Sequence, residues 1–281
     1  MSAAQRIGTW RIRIVTRGLI SIEDSDLARA WVRALAVLCD PGIEEVSPMV
    51  VSVVGAGEAA LTGNPAVERA IDVALAAAGK FPSHTVANTI FPVNLWNPAA
   101  PGAQLFDRYR ALWPRLKHVP QNRLGTYFER LIAYDTNGHN QLERIIAMYR
   151  KGIRRRSALQ ASVFDPLRDQ KATHRRGFPC LHQVAFLPIG ADGLGVTAFY
   201  ATQYIFDRGY GNYLGLARLG AFVAHETNRR LQQVVCIAAV ARLGEGVSMG
   251  SARALRDEVG PLVAVAVPIA GAAQSMEGGV S

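Results

Sequence analysis

Phe178-Pro179-Cys180-Leu181-His182 is the stretch of this sequence best equipped for covalent chemistry. Pro179 lacks a backbone N–H and disfavours helix just before it, so Cys180 is expected at a loop-to-strand junction. The segment leading to it carries Arg150, Lys151, Arg154, Arg155 and Arg156 within seven residues, then His174, Arg175 and Arg176. A thiol near several guanidinium groups is expected to have a depressed pKa and to act as a nucleophile. The competing reading is a buried, inert cysteine. The first basic cluster also reads as a solvated helix end, with cations suited to the C-terminal dipole. His182 lies two residues past Cys180, which on a strand puts both on one face. It could orient a substrate or a water network, or be a hydrogen-bonded, half-buried histidine.

A second stretch is Ala198-Phe199-Tyr200-Ala201-Thr202-Gln203-Tyr204, followed by Tyr210-Gly211-Asn212-Tyr213-Leu214. A strand ends in polar residues and Asn212 stands at the mouth of a long apolar helix. Asn there serves as an N-cap, or as an amide whose donor and acceptor read the edge of a base. Cys39 and Cys236 fall inside apolar patterns and read as core. The sequence has no HExxH, CxxC or paired His ligands, so no metal site is expected. Neither a phosphate-loop frame nor a GxSxG elbow is present.

These residues need a scaffold, and the composition supports one. Of 281 residues, 49% are apolar and 19% charged, the balance of a globular chain rather than a disordered one. An odd count of three widely spaced cysteines excludes a disulfide framework and fits a reducing cytoplasm. No signal-type apolar run or membrane span is readable. A net charge of +9 points to anionic partners without naming them.

The periodicity predicts strands over 10–16, 49–54, 159–163, 184–187, 195–200 and 234–240. A turn is expected at Arg17-Gly18 and a hairpin loop over 189–193. Helices are predicted from Ser25-Asp26 to Leu38, from the Asn64-Pro65 start to Gly79, and over 107–113, 140–149, 213–231 and 252–258. Val67, Ile71, Val73 and Leu75 are available for burial. Residues 91–101 read as loop, and the Gly-rich tail from Gly271 as mobile. Strands and helices mix without a regular βαβ beat, so the fold class is α+β in a single domain over 1–281.

In this order the pieces resemble the thymidylate synthase family, which includes the pyrimidine hydroxymethylases. The likeness runs from Gly125 to Val240, within a motif-bearing part of about 81–260, and is thin over 1–80. Gln141-Leu142-Glu143-Arg144-Ile145-Ile146 resembles the helix before a paired arginine, and Arg155-Arg156 with residues 161–164 resemble that pair and its strand. Pro179-Cys180 resembles the nucleophile motif, and Gly211-Asn212-Tyr213-Leu214-Gly215-Leu216 the Asn-bearing helix start. The resemblance implies a mixed twisted sheet flanked by helices and a homodimer formed through that sheet. It implies a Cys180 thiolate that adds to C6 of a pyrimidine nucleotide, with 5,10-methylenetetrahydrofolate as the one-carbon donor to C5. A thiolate suits the task, because the C5–C6 double bond is a poor electrophile.

By the same likeness Arg155 and Arg156 reach the phosphate from the partner subunit, Asn212 with Gln203 reads the base, and His182 belongs to the substrate site. Tyr127, after Gly125, resembles a tyrosine of the proton network. The chain also departs from the family. Ala201 stands where a phosphate-binding Arg is expected, Thr202 on a phosphate-contacting Ser, and Tyr204 on the Asp that holds the pterin. No His-x-Tyr pair lies near residues 237–240, and Asn88 is the best occupant of the region of the catalytic Glu. Losing an Arg–phosphate or a carboxylate–pterin bond costs on the order of 1.5–3 kcal/mol each. Three functions are therefore weighed: a diverged one-carbon transferase, a nucleotide-binding regulator on the same fold, and a nucleic-acid binder. The last lacks a basic stripe interleaved with aromatics.

Overall fold

The computed structural model describes residues 15–55, 63–135, 137–153, 155–170 and 179–263. The expected strand start over 10–14, Arg154, the His174–Arg176 knot, Phe178 and the Gly271 tail lie outside the described residues. In chain order the elements are β1 (Val15–Asp24), α1 (Leu27–Leu38), β2 (Glu45–Val54), α2 (Pro65–Ala77), α3 (Ser83–Ile90), α4 (Ala103–Leu116), α5 (Tyr127–Ile132) and α6 (Gln141–Arg150). They continue with β3 (Gln160–Ser162), α7 (Pro166–Asp169), β4 (Leu181–Ile189), β5 (Gly193–Tyr204), α8 (Tyr210–Glu226), β6 (Arg230–Arg242) and α9 (Met249–Val263).

The starts of several helices follow from side chains that satisfy their first N–H groups. Asp26 accepts from Arg29 N, Asn64 from Ala66 N and Val67 N ahead of Pro65, and Asn140 from Glu143 N. Val67, Ile71 and Leu75 are buried, whereas Val73 is exposed on the opposite side of α2. Three of the expected helices depart in their bounds, among them α4, which spans Ala103–Leu116 rather than 107–113. The last helix spans Met249–Val263 rather than 252–258, and α8 stops at Glu226, so Leu231 belongs to β6.

All six strands form one mixed sheet in the order β1-β2-β6-β5-β4-β3, which makes the protein α+β. β1 runs parallel to β2 and β5 parallel to β6; the other pairs are antiparallel. α1 packs on β1 and β2, α8 on β5 and β6, and α1 touches α8. The helices that pack on the sheet thus share one side, a two-layer arrangement. The opposite face presents Val50, Val235 and Ile237 half-buried and Phe199 at 40% exposure.

A line of irregularity crosses this sheet. Along β5, Leu194, Val196, Ala198 and Tyr200 are buried at the strand period of two, but the next buried residue is Gln203. The neighbouring pairs behave alike: Ala238 to Ala241 in β6 and Met49 to Val46 in β2, in register with Tyr200 and Gln203. On the flanking strands β1 gains an extra residue between Arg17 and Ile20, and β4 gains one at His182. The expected turn at Arg17-Gly18 is this bulge, with Gly18 at φ 128°, and β1 continues through it. Such bulges bend strands and re-aim side chains. Here the bend runs past Cys180.

Candidate active site

Cys180 sits in the bend just before β4, the expected loop-to-strand junction, and its carbonyl accepts from Ala201 N at 3.0 Å. Tyr127 is the first residue of α5, whose N-cap Thr126 accepts from Glu129 N at 3.1 Å. The Thr126 hydroxyl is shared with Tyr109 at 2.5 Å, which pins this helix start to α4. Tyr127 meets Cys180: the Cys180 sulfur and the backbone of Leu181 and Cys180 are among the groups that act on its phenol. Burial, and then the adjacent Cys180 sulfur, push the Tyr127 phenol up to about 12. At neutral pH it is a protonated hydrogen-bonding group, not a base.

The Cys180 thiol contradicts the expectation of a depressed pKa. Burial raises it above the ordinary thiol value, and the one opposing cation among the described residues is Arg208. Arg155 and Arg156 are exposed around a short 3₁₀ turn and do not act on Cys180 within the protomer. Arg150 belongs to the helix-end reading of the cluster: it closes α6 and pairs with Glu226 at 2.8 Å.

Arg208 sits in a feature the sequence did not reveal. Residues Ile205–Gly209 wind as a π-helix between β5 and α8, held by Trp31 Nε1 donating to the Ile205 carbonyl at 2.8 Å. π-Turns of this kind recur at functional sites. This one carries Asp207, paired with Lys80 at 2.8 Å, and Arg208, whose guanidinium lies 5.8 Å from the Phe81 ring centroid. Burial raises the Asp207 carboxyl against the pull of Lys80, and its Oδ1 is buried without a hydrogen-bond partner.

The π-turn also moves the start of α8 to Tyr210, so Asn212 lies inside the helix and caps nothing. Asn212 is 4% exposed, a buried amide inside the first turn of α8. Its flanking glycines have a separate task. A Cβ on Gly211 would stand 2.5 Å from the Ser83 carbonyl, and one on Gly215 would stand 2.8 Å from the Ala87 carbonyl. Only glycine lets α3 approach α8 so closely. That approach sets the position of Asn88.

Asn88 lines a cavity of about 340 Å³ between α3, α4 and the start of α5, together with Thr85, Asn94, Tyr109, Asn122 and Thr126. Its lining holds no carboxylate, lysine or arginine. The Asn88 Oδ1 is buried and unpartnered. The cavity reaches Thr126, next to Tyr127, but Cys180 does not line it, so the structure does not bring Asn88 to the thiol.

The remaining expected residues divide. Thr202 is half-buried on β5, two residues beyond the Tyr200 partner of Leu181. Gln203 is turned inward by the sheet irregularity: its Nε2 donates to Cys236 Sγ at 3.2 Å and its Oε1 accepts from Tyr213 at 3.4 Å. Its amide serves the core. His182 is the extra residue of the β4 bulge, so the shared face with Cys180 is lost. It stacks on Phe164 with centroids 4.5 Å apart and meets the edge of Phe199 at 6.0 Å, and burial lowers its pKa.

Tyr200 was also missed. It is 0% exposed on the helix side of β5, opposite Leu181, and its hydroxyl has no hydrogen-bond partner. Its only sequence signal is a tyrosine continuing the inward row that Leu194, Val196 and Ala198 begin.

Methylenetetrahydrofolate would need a carboxylate for its pterin where Tyr204 stands. The Tyr204 hydroxyl instead donates to Glu245 at 3.0 Å, so the residues present do not fit that contact. Among the described residues no cluster of His, Cys, Asp and Glu could hold a metal ion, and no helix is long and apolar enough to cross a membrane. No protein-family model matches the sequence, and no curated protein matches it.

Proposed function

We propose that this chain is a thymidylate-synthase-like enzyme that adds a one-carbon unit, methyl or hydroxymethyl, to C5 of a pyrimidine nucleotide through a Cys180 adduct. The observation that carries the reading is the Tyr127–Cys180 contact, made by residues far apart in sequence, one picked out by its local chemistry and the other by the family resemblance. Arg208, the cation acting on Cys180 among the described residues, adds support.

The Cys180 sulfur forms a bond to C6, and the C5–C6 electron pair becomes an enolate whose charge rests on the C4 oxygen. C5 then exchanges its proton, or bonds to a one-carbon donor at the formaldehyde oxidation level, whose carrier leaves with its electron pair; water taken up at that carbon gives hydroxymethyl, and a hydride from a reductant of the tetrahydropterin class gives methyl. Loss of the C5 proton and expulsion of the thiolate restore the double bond. Arg208 favours the nucleophilic thiolate and, being exposed, reaches an anionic phosphate. The exposed Arg155 and Arg156 serve the partner's site in a homodimer formed through the helix-free face, where Phe199, Val235 and Ile237 supply the apolar contact.

A second reading, a nucleotide-binding regulator without turnover, is favoured by the raised Cys180 thiol and the neutral cavity at Asn88. Intact-mass measurement with 5-fluoropyrimidine nucleotides separates the two, because fluorine cannot leave C5 as a proton does and the adduct persists. Mass added at Cys180 supports the enzyme; binding by calorimetry without added mass supports the regulator.

A further inference from the structure

A buried hydroxyl with no partner is expensive unless something in the working cycle uses it. Tyr200 is such a group: 0% exposed, its hydroxyl unpartnered, on the strand position facing Leu181. The next residue of β5, Ala201, donates its N–H to the Cys180 carbonyl at 3.0 Å, so the Tyr200 ring is docked beside the nucleophile's backbone. Cys180 and Tyr127 are both among the groups that act on its phenol.

We propose that Tyr200 is a positioning residue for Cys180, its hydroxyl donating a hydrogen bond to the sulfur when the thiol ionises. In the neutral state the thiol offers only a weak acceptor, which explains why the hydroxyl makes no bond there. A thiolate attracts the same O–H strongly, as a charge-assisted bond. The proton of the thiol leaves to solvent; Tyr200 keeps its own. Burial, with Cys236, Tyr127, Tyr213 and Cys180 around it, holds the phenol protonated far above neutrality, so it can only donate.

Among the described residues, the groups that act on Cys180 or are acted on by it are Arg208 from the π-turn, Tyr127 from α5, and Tyr200 and Tyr204 from β5. Arg208 acts from the solvent side and Tyr200 from the core side. The inference rests on Cys180 being a nucleophile and not on which molecule it attacks.

The test is the pH profile of Cys180 alkylation by iodoacetamide, read by peptide mass spectrometry so that Cys39 and Cys236 are scored separately. Tyr200→Phe deletes only the unpartnered hydroxyl. It is expected to leave the melting temperature unchanged or higher while moving the Cys180 profile upward by roughly 1 pH unit. Should that variant fail to fold, 3-fluorotyrosine installed at position 200 keeps the ring and strengthens the donor, and the profile is expected to move down. A profile unmoved by either replacement overturns the inference. Because no nucleotide is present, this result is independent of whether the pyrimidine reading stands.

Discussion

Tyr127, the first residue of α5, lies against Cys180 at the head of β4, where the sulfur adds to the burial that raises its phenol. The contact places a protonated phenol against the sulfur. Tyr127→Phe removes this hydroxyl, at about 0.5–1.5 kcal/mol of stability. Any Cys180-dependent turnover is expected to fall on the order of 10²-fold, the scale of a lost proton-network member. Urea unfolding and turnover on the same preparation separate the two effects.

Arg208 opposes the burial that raises the Cys180 thiol. Arg208→Ala therefore moves the thiol further up, and alkylation at fixed pH 8 slows. The expected displacement is roughly 0.5–1 unit, because the guanidinium is solvent-exposed. The double variant Arg155→Ala/Arg156→Ala should leave the profile of the monomeric protein unmoved. An equal effect from both would contradict the electrostatic assignment.

The approach of α3 to α8 depends on glycine. A Cβ at Gly211 would also lie 2.7 Å from Val86 Cβ, so Gly211→Ala must push α3 away and is expected to cost about 1–3 kcal/mol. Gly260, inside α9, has nothing within 4 Å of the same added atom. Gly260→Ala is expected to change stability little, because a helix-propensity gain of about 0.5–1 kcal/mol is opposed by Pro261, whose ring crowds a Cβ on the helical residue before it. A clear drop in thermal midpoint for Gly211→Ala beside a near-unchanged Gly260→Ala checks the pair.

Asp24 gives the fold an acid limit. Burial pulls its carboxyl up, but hydrogen bonds from Arg29, the Asp26 N–H and Arg33 outweigh it and hold the group at about 2 instead of 3.8. A depressed carboxylate stabilises the fold above its unfolded pKa, and that stability is lost as pH falls through the folded value. Asp24→Asn is thus expected to cost roughly 2 kcal/mol at pH 7. The difference in urea midpoint from wild type should shrink as pH falls from about 4 towards about 2.

What was legible in the sequence was local chemistry. Asp26, Asn64 and Asn140 announce helices because a cap is a short-range hydrogen bond. The hairpin between β4 and β5 announces itself through Gly190 and Gly193 around Asp192. Helix α3 was not legible: Thr85, Val86 and Thr89 are poor helix formers, and its helicity comes from packing against the glycines of α8. The π-turn was equally hidden, and with it the start of α8, the position of Asn212 and the charge of Arg208.

The site shows the same division. The junction position of Cys180 was legible from Pro179, whereas Tyr127 and Asn88 came only from the family resemblance and Asn212 proved not to be the cap its place suggested. The inward turn of Gln203 and the displacement of His182 depend on an irregularity spread across β1, β2, β6, β5 and β4, which no single segment encodes. Tyr200 was invisible because an unpartnered hydroxyl is a property of surroundings, not of sequence.

The central claim is thiolate addition by Cys180 to a pyrimidine ring, and tritium release from 5-³H pyrimidine nucleotides tests it most directly. A panel of bases and sugars would be run with wild type and Cys180→Ala, with and without methylenetetrahydrofolate. Release by wild type that vanishes in Cys180→Ala is the predicted result; the best label names the base, and its folate dependence identifies the one-carbon donor. Release that survives Cys180→Ala, or none from any nucleotide, would contradict the account.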